Sequence, residues 1–209
     1  VSNLSGHLSL FAMDAAGGVP EPLLPPQLAL QNPELIGGYS FYALPELGRI
    51  VVMIDHDGDE NYEPFAIPLD GGFPEPLAEE SFRGRRSSLL DVDPETATAY
   101  FNAQSREEAM FFALRVDLES GQVDEVGRSM YGAFVGTWNP DHSRVFLLDG
   151  YTAGDVIVYE PDGDGGRRML YGTPIDEREP GVEYPPSGFA GAHVVESGSG
   201  VLLITTLLG

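Results

Sequence analysis

Short apolar runs along this chain alternate with clusters of Gly, Pro, Asp and Asn, most clearly in RIVVMIDHDGDENYEPFAIPLDGGFPEPL at residues 49–77. Residues 50–54 read as an apolar strand, 55–61 as an acidic tight turn and 63–69 as a second strand, followed by a Gly-Gly turn and a short edge strand. This pattern predicts three strands of one antiparallel sheet. No segment carries a convincing 3.6-residue period, so the expected fold class is all-β.

The pattern recurs. Gly17-Gly18-Val19-Pro20-Glu21-Pro22-Leu23 and Gly71-Gly72-Phe73-Pro74-Glu75-Pro76-Leu77 agree at six of seven positions, at an offset of 54 residues. A similar apolar stretch precedes each, Leu10-Phe11-Ala12-Met13 and Pro64-Phe65-Ala66-Ile67, and reappears as Phe111-Phe112-Ala113-Leu114 and Val156-Ile157-Val158-Tyr159. A second marker, Pro followed by an acid, comes before a strand at Pro45-Glu46, Pro94-Glu95 and Pro140-Asp141. Proline presets φ for such a turn, and the acid bonds back to nearby amides.

Three complete four-stranded units are expected, at about residues 39–77, 87–126 and 132–170. Residues 1–24 supply only the last two strands of a unit and 190–209 only the first two. Four-stranded units at this period are the mark of β-propeller blades. The expectation is a β-propeller of four-stranded antiparallel blades, a single domain or a propeller segment, with about four blades' worth of strands and half-blades at both termini. The two half-blades could pair and close a four-bladed ring, or they could stand as exposed ends that dimerise or aggregate. The connections 25–37 and 173–187 read as surface loops between blades or as the lining of a substrate opening.

Charge narrows the range of partners. Asp and Glu outnumber Lys and Arg 33 to 11, for a net charge of -22, which repels phosphate backbones and anionic membranes. Neither nucleic acid nor a membrane is an expected partner. All the basic residues are Arg, so Schiff-base lysine chemistry and a Walker-type lysine are excluded. The absence of Cys excludes a disulfide framework and a thiolate metal site. The longest apolar run, 201–208, is of strand length. With no leader pattern at Val1, a cytoplasmic location is expected, or a secreted form whose signal peptide has been removed.

Candidate chemistry is sparse. Asp55, Asp57, Asp59 and Asn61 place oxygens at alternate positions of a tight turn, as calcium loops do, but the same residues favour such a turn for conformational reasons alone. Asp162, Gly163, Asp164, Gly165 and Gly166 form the matching turn of a later blade. There is no Gly-x-Ser-x-Gly elbow, and His7, His56, His142 and His193 are scattered singly. The pairs Glu79-Glu80 and Glu107-Glu108 could meet a substrate amine or an Arg. Trp138, the only Trp, could fill space between blades or stack on a ligand.

Trp138-Asn139-Pro140-Asp141, followed by Arg144-Val145-Phe146-Leu147, resembles the turn and strand of TolB-type and prolyl-oligopeptidase-type propeller repeats. The Asp55 to Tyr62 turn, ending in Leu69-Asp70-Gly71-Gly72, is similar to blades of acylaminoacyl-peptidase and prolyl-oligopeptidase members of the S9 serine peptidases. That resemblance implies a non-catalytic propeller that gates substrates or binds peptides, partnered by an α/β-hydrolase domain of the same parent chain. The alternative it leaves is a stand-alone TolB-like propeller that binds a peptide or protein ligand as a scaffold. No catalytic residue carries over from it.

Overall fold

The computed structural model describes all residues except 5, 34–36, 56–57, 164, 196–198 and 207–209. The strands run in order β1 (Phe11–Ala12), β2 (Glu21–Pro22), β3 (Ala29–Leu30), β4 (Phe41–Leu44), β5 (Arg49–Asp55), β6 (Tyr62–Pro68) and β7 (Glu75–Pro76). After a one-turn helix α1 (Glu79–Phe82) come β8 (Arg85–Asp93), β9 (Thr98–Ser105), β10 (Phe111–Asp117) and β11 (Val123–Ser129). They are followed by β12 (Phe134–Trp138), β13 (Val145–Thr152), β14 (Asp155–Pro161), β15 (Arg167–Tyr171), β16 (Phe189–Val194) and β17 (Val201–Thr205). Two 3-10 turns, Pro45–Leu47 and Ile175–Glu177, complete the described elements.

The fold is all-β and built of antiparallel blades. β8 to β11 form one four-stranded sheet in sequence order and β12 to β15 another; β4 to β7 form a third, which β3 joins as a fifth strand. Two-stranded sheets, β1 with β2 and β16 with β17, precede and follow them. The chain forms two compact units, Val1–Glu108 with Arg115–Asp124, and Ala109–Leu114 with Glu125–Gly209.

The sequence repeat is a repeat of hydrogen bonds. Phe11 pairs with Pro22 and Ala12 with Glu21, as Phe65 pairs with Pro76 and Ala66 with Glu75. The Leu23 amide donates to the Leu10 carbonyl at 2.9 Å, and the Leu77 amide to the Pro64 carbonyl at 3.0 Å. Both Gly-Gly turns have positive φ, 94° and 151° at Gly17 and Gly18, 86° and 154° at Gly71 and Gly72, a region open to Gly but strained for other residues. The Pro-acid turns are equally consistent. Each returns through a left-handed residue, Gly48, Ala97 or His142.

The second strand of each complete blade is buried on both faces. In β5, residues Ile50, Val51, Val52, Met53 and Ile54 are at most 5% exposed. β9 buries Ala99, Tyr100, Phe101 and Ala103 completely, and β13 does the same with Phe146 and Leu147. This explains why these strands read as continuous apolar runs instead of alternating. In the first unit Leu10, Leu23, Leu24, Leu30, Ile50, Val52, Ile54, Phe65 and Ile67 form one core cluster.

The connection 25–37 is not wholly loop. Its Ala29 and Leu30 pair with Asp55 and Ile54, so β3 extends the inner edge that β4 begins on the same strand. Adjoining repeats also touch through glycine. The Gly72 amide donates to the Leu23 carbonyl at 3.1 Å, and a Cβ on Gly71 would lie 2.8 Å from Leu23 Cα. Gly17, its repeat partner, has nothing within 4 Å of that position. Gly71→Ala is therefore expected to cost about 3 kcal/mol, from positive-φ strain plus a backbone clash, while Gly17→Ala costs about 1 kcal/mol from the strain alone. Chemical denaturation of the two variants measures the difference.

Candidate binding cleft

The second unit holds a cleft of about 750 Å³. β11 supplies Glu125 to Ser129 as one wall, Asp149 of β13 and Tyr159 of β14 lie at its floor, and the glycine turn before Arg167 forms the opposite side. Asp176 and Glu177, from the connection after β15, complete the lining.

The floor is a buried polar knot. Asp149 is 1% exposed and interrupts the apolar run of β13. Its carboxylate accepts from Ser129 Oγ at 2.7 Å, from the Ala133 amide at 2.9 Å and from Tyr159 Oη at 3.4 Å. Burial, and then the Asp149 charge, push the Tyr159 phenol above its ordinary pKa and keep it a neutral donor. The rim is ionic. Arg128 Nε donates to Glu125 at 2.6 Å, and Arg167 pairs with Asp176 at 2.5 Å and Glu177 at 3.8 Å. The Arg167 guanidinium holds the Asp176 carboxyl below its usual range.

The connection carrying Asp176 and Glu177 is fastened by Arg178. Its guanidinium makes a two-pronged pair with Asp155 at 2.8 and 2.9 Å and donates to the Thr173 carbonyl. It also lies over the Tyr151 and Tyr184 rings, 5.1 and 5.5 Å from their centroids. This planar, forked, ring-stacked geometry suits Arg and not Lys. Within 173–187, Asp176 and Glu177 line the cleft.

Glu160 on β14 stands opposite Arg168 on β15. It accepts from Arg144 at 2.7 and 3.1 Å and is bonded by Arg168 as well. Arg144 foremost, then Arg168, hold the Glu160 carboxyl below its ordinary value.

The acidic turn of the first unit is only partly described, because Asp57 and His56 lie outside the described residues. Asp55 accepts from the Glu60 amide at 3.2 Å, and Asp59 accepts from the Asn61 amide and carboxamide at 2.8 and 2.7 Å. The Asn61 carboxamide oxygen in turn accepts from Arg106 Nε at 2.9 Å. In the later turn Asp162 accepts from the Gly166 amide at 2.9 Å, and Asp164 lies outside the described residues.

The remaining candidates are spread over a strand end (Trp138 of β12), the helix α1 (Glu79 and Glu80), a strand (His193 of β16) and turns. Trp138 stacks on His142 with centroids 5.9 Å apart and planes at 15°. Asn139 bonds Asp141, Ser143 and the Arg144 amide, which closes the Trp-Asn-Pro-Asp turn. The Ser143 hydroxyl, first, lowers the Asp141 carboxyl. Glu79 pairs with Arg83 at 2.6 Å, and the amides of Glu107 and Glu108 bond Ser105 Oγ. His193 is exposed, and His7 Nε2 is buried with no hydrogen-bond partner among the described residues. Among the described residues, no three His, Asp or Glu side chains gather as a metal cluster, and no helix is long and apolar enough to cross a membrane. Asp149 and the Arg178 clamp were not marked by any motif; an acid inside the apolar run Val145-Phe146-Leu147-Leu148-Asp149 was the one visible signal.

No protein-family model matches the chain, and no curated protein does. Solved structures do. The putative TolB of Agrobacterium tumefaciens aligns with a TM-score of 0.52 and 15% identity, over 94% of this chain and 62% of its own. Puromycin hydrolase aligns with a TM-score of 0.56 and 19% identity, over 95% of this chain and 32% of its own. The chain thus spans less than two thirds of either structure. At these identities the likeness is one of fold, in keeping with the four-stranded propeller blades expected from the repeats.

The ion pairs lead to two expected outcomes. Arg178→Ala is expected to cost about 2–3 kcal/mol, because it leaves the buried Asp155 unpaired, and to raise hydrogen exchange mainly within 173–187. Glu160 is lowered on folding, so its stabilisation is complete above the ordinary glutamate value of 4.5 and is lost as pH falls through the lower folded value. Glu160→Gln should therefore destabilise by about 1 kcal/mol at neutral pH, with the gap from wild type closing in acid, as thermal melts across pH will record.

Proposed function

We propose that this chain is the non-catalytic propeller portion of a serine-peptidase-like protein, and that it admits or holds peptide substrates. The observation that carries the reading is the second-unit cleft, whose rim pairs acids with arginines above a buried polar floor. Such a surface offers hydrogen-bond acceptors to a peptide amine and guanidinium donors to a peptide carboxylate. The fold shared with puromycin hydrolase supports a hydrolase context. In this reading an α/β-hydrolase domain of the parent protein supplies the nucleophile.

The second reading, a stand-alone TolB-like binding or scaffold propeller, is favoured by the larger share of the TolB chain that is matched, 62%. Both readings place a peptide or protein ligand on the propeller. They differ in whether the parent gene encodes a Gly-x-Ser-x-Gly hydrolase domain beside this segment, which sequencing that gene decides.

Titration of the isotopically labelled chain with short peptides, monitored by NMR, tests the cleft. The expected result is saturable shifts at Glu125 to Ser129 and at Asp176 and Glu177. Shifts confined to other blades, or none with any peptide, would contradict the assignment.

A further inference from the structure

Among the described residues two acidic side chains are buried, Asp149 at 1% exposure and Asp155 at 9%. Their surroundings differ in one respect. Asp155 has the Arg178 guanidinium on both of its oxygens, so its charge is balanced where it sits. Asp149 is bonded only by neutral donors, the Ser129 hydroxyl, the Ala133 amide and the Tyr159 phenol, and none of the ion pairs among the described residues includes it. Burying a charge without a counter-charge is costly.

The chain's own cations are committed elsewhere. Of the two Arg side chains that line the cleft, Arg128 is held by both oxygens of Glu125, and Arg167 by Asp176 and Glu177. Asp149 nevertheless lies at the floor of an open cleft of about 750 Å³. A cation entering from solvent therefore meets a charge that the protein leaves unbalanced, in surroundings where attraction is poorly screened.

The donors already in place narrow the kind of cation. A carboxylate offers about four acceptor positions, and three are used here, with at least one donor on each oxygen. That leaves no clear pair of oxygens for the planar fork of a guanidinium. An ammonium has three donors that need not lie in a plane, and besides Asp149 it finds the hydroxyl oxygens of Ser129 and Tyr159, both of which line the cleft.

We propose that the cleft takes its ligand by a primary ammonium group, seated over Asp149 between Ser129 and Tyr159, with the rest of the ligand lying toward the rim. This rests on the cleft being the binding site proposed above, and adds the group that it selects. A peptide carries such a group at a free N-terminus or on a lysine side chain.

Titration of the isotopically labelled full chain tests this by NMR, with the Ala133 amide as reporter because it donates to Asp149. The probes are trialanine amide, its N-acetyl form, an N-acetylated Ala-Lys-Ala amide and n-butylamine. Trialanine amide or the lysine peptide should bind about 10- to 100-fold more tightly than N-acetyl-trialanine amide, and which of them does so separates the two sources of the ammonium. Asp149→Asn removes one of 33 acids, so general attraction to the chain persists while this preference should vanish. Equal binding of free and acetylated peptides at the cleft, or a preference that survives in Asp149→Asn, would overturn the ammonium assignment and leave peptide binding standing. Butylamine shifting Ala133 while no peptide does would support the ammonium site and remove the peptide reading. A still Ala133 amide with every probe would overturn both. If Asp149→Asn loses its cooperative melt, Ser129→Ala replaces it, and should weaken the amine-bearing probes alone.

Discussion

Everything in this structure depends on covering both faces and both edges of the second strand of each blade. β5, β9 and β13 are nearly continuous apolar runs, and water on either face would cost each buried aliphatic or aromatic side chain about 1.5–3 kcal/mol. The third strand closes one edge, the first strand the other, and adjoining elements cover the faces. The turns between them are accordingly sharp and acidic, and their Asp and Asn side chains bond local amides.

The cleft arises where this scheme is interrupted. Asp149 occupies a core position of β13, and a carboxylate there is tolerable only with its lone pairs satisfied, which Ser129, the Ala133 amide and Tyr159 provide. The connection after β15 is then held over the blade by Arg178, through a buried ion pair and two rings. A rigid scaffold thus presents a charged rim on a connection, the arrangement by which blade proteins place binding groups on loops.

Much of the architecture was legible in the residues. The Gly-Gly-x-Pro-Glu-Pro-Leu repeat marked the last two strands of two blades, though not their bounds, since the strand expected at 63–69 runs Tyr62–Pro68 and the pairing of β1 is confined to Phe11–Ala12; positive φ at both glycines and proline on an edge leave such a turn little freedom. β3 was not legible, since two residues such as Ala29 and Leu30 carry no period and gain their strand geometry only from Asp55 and Ile54. The cleft was less visible still. Arg178 and Asp155 are 23 residues apart and belong to no motif, so their pairing is a product of the tertiary fold. The acidic turn at Asp55, the richest motif in the chain, has Asp59 and Asn61 engaged by Asn61 and Arg106, contacts that spacing alone could not reveal.

Native-state hydrogen exchange measures the central claim most directly. If two-faced burial of the second strands holds the blades together, amides of β5, β9 and β13 exchange slowest and at one common free energy, while those of the outer strands β2 and β7 exchange orders of magnitude faster. Exchange in β5, β9 and β13 as fast as in β2 and β7 would contradict the account.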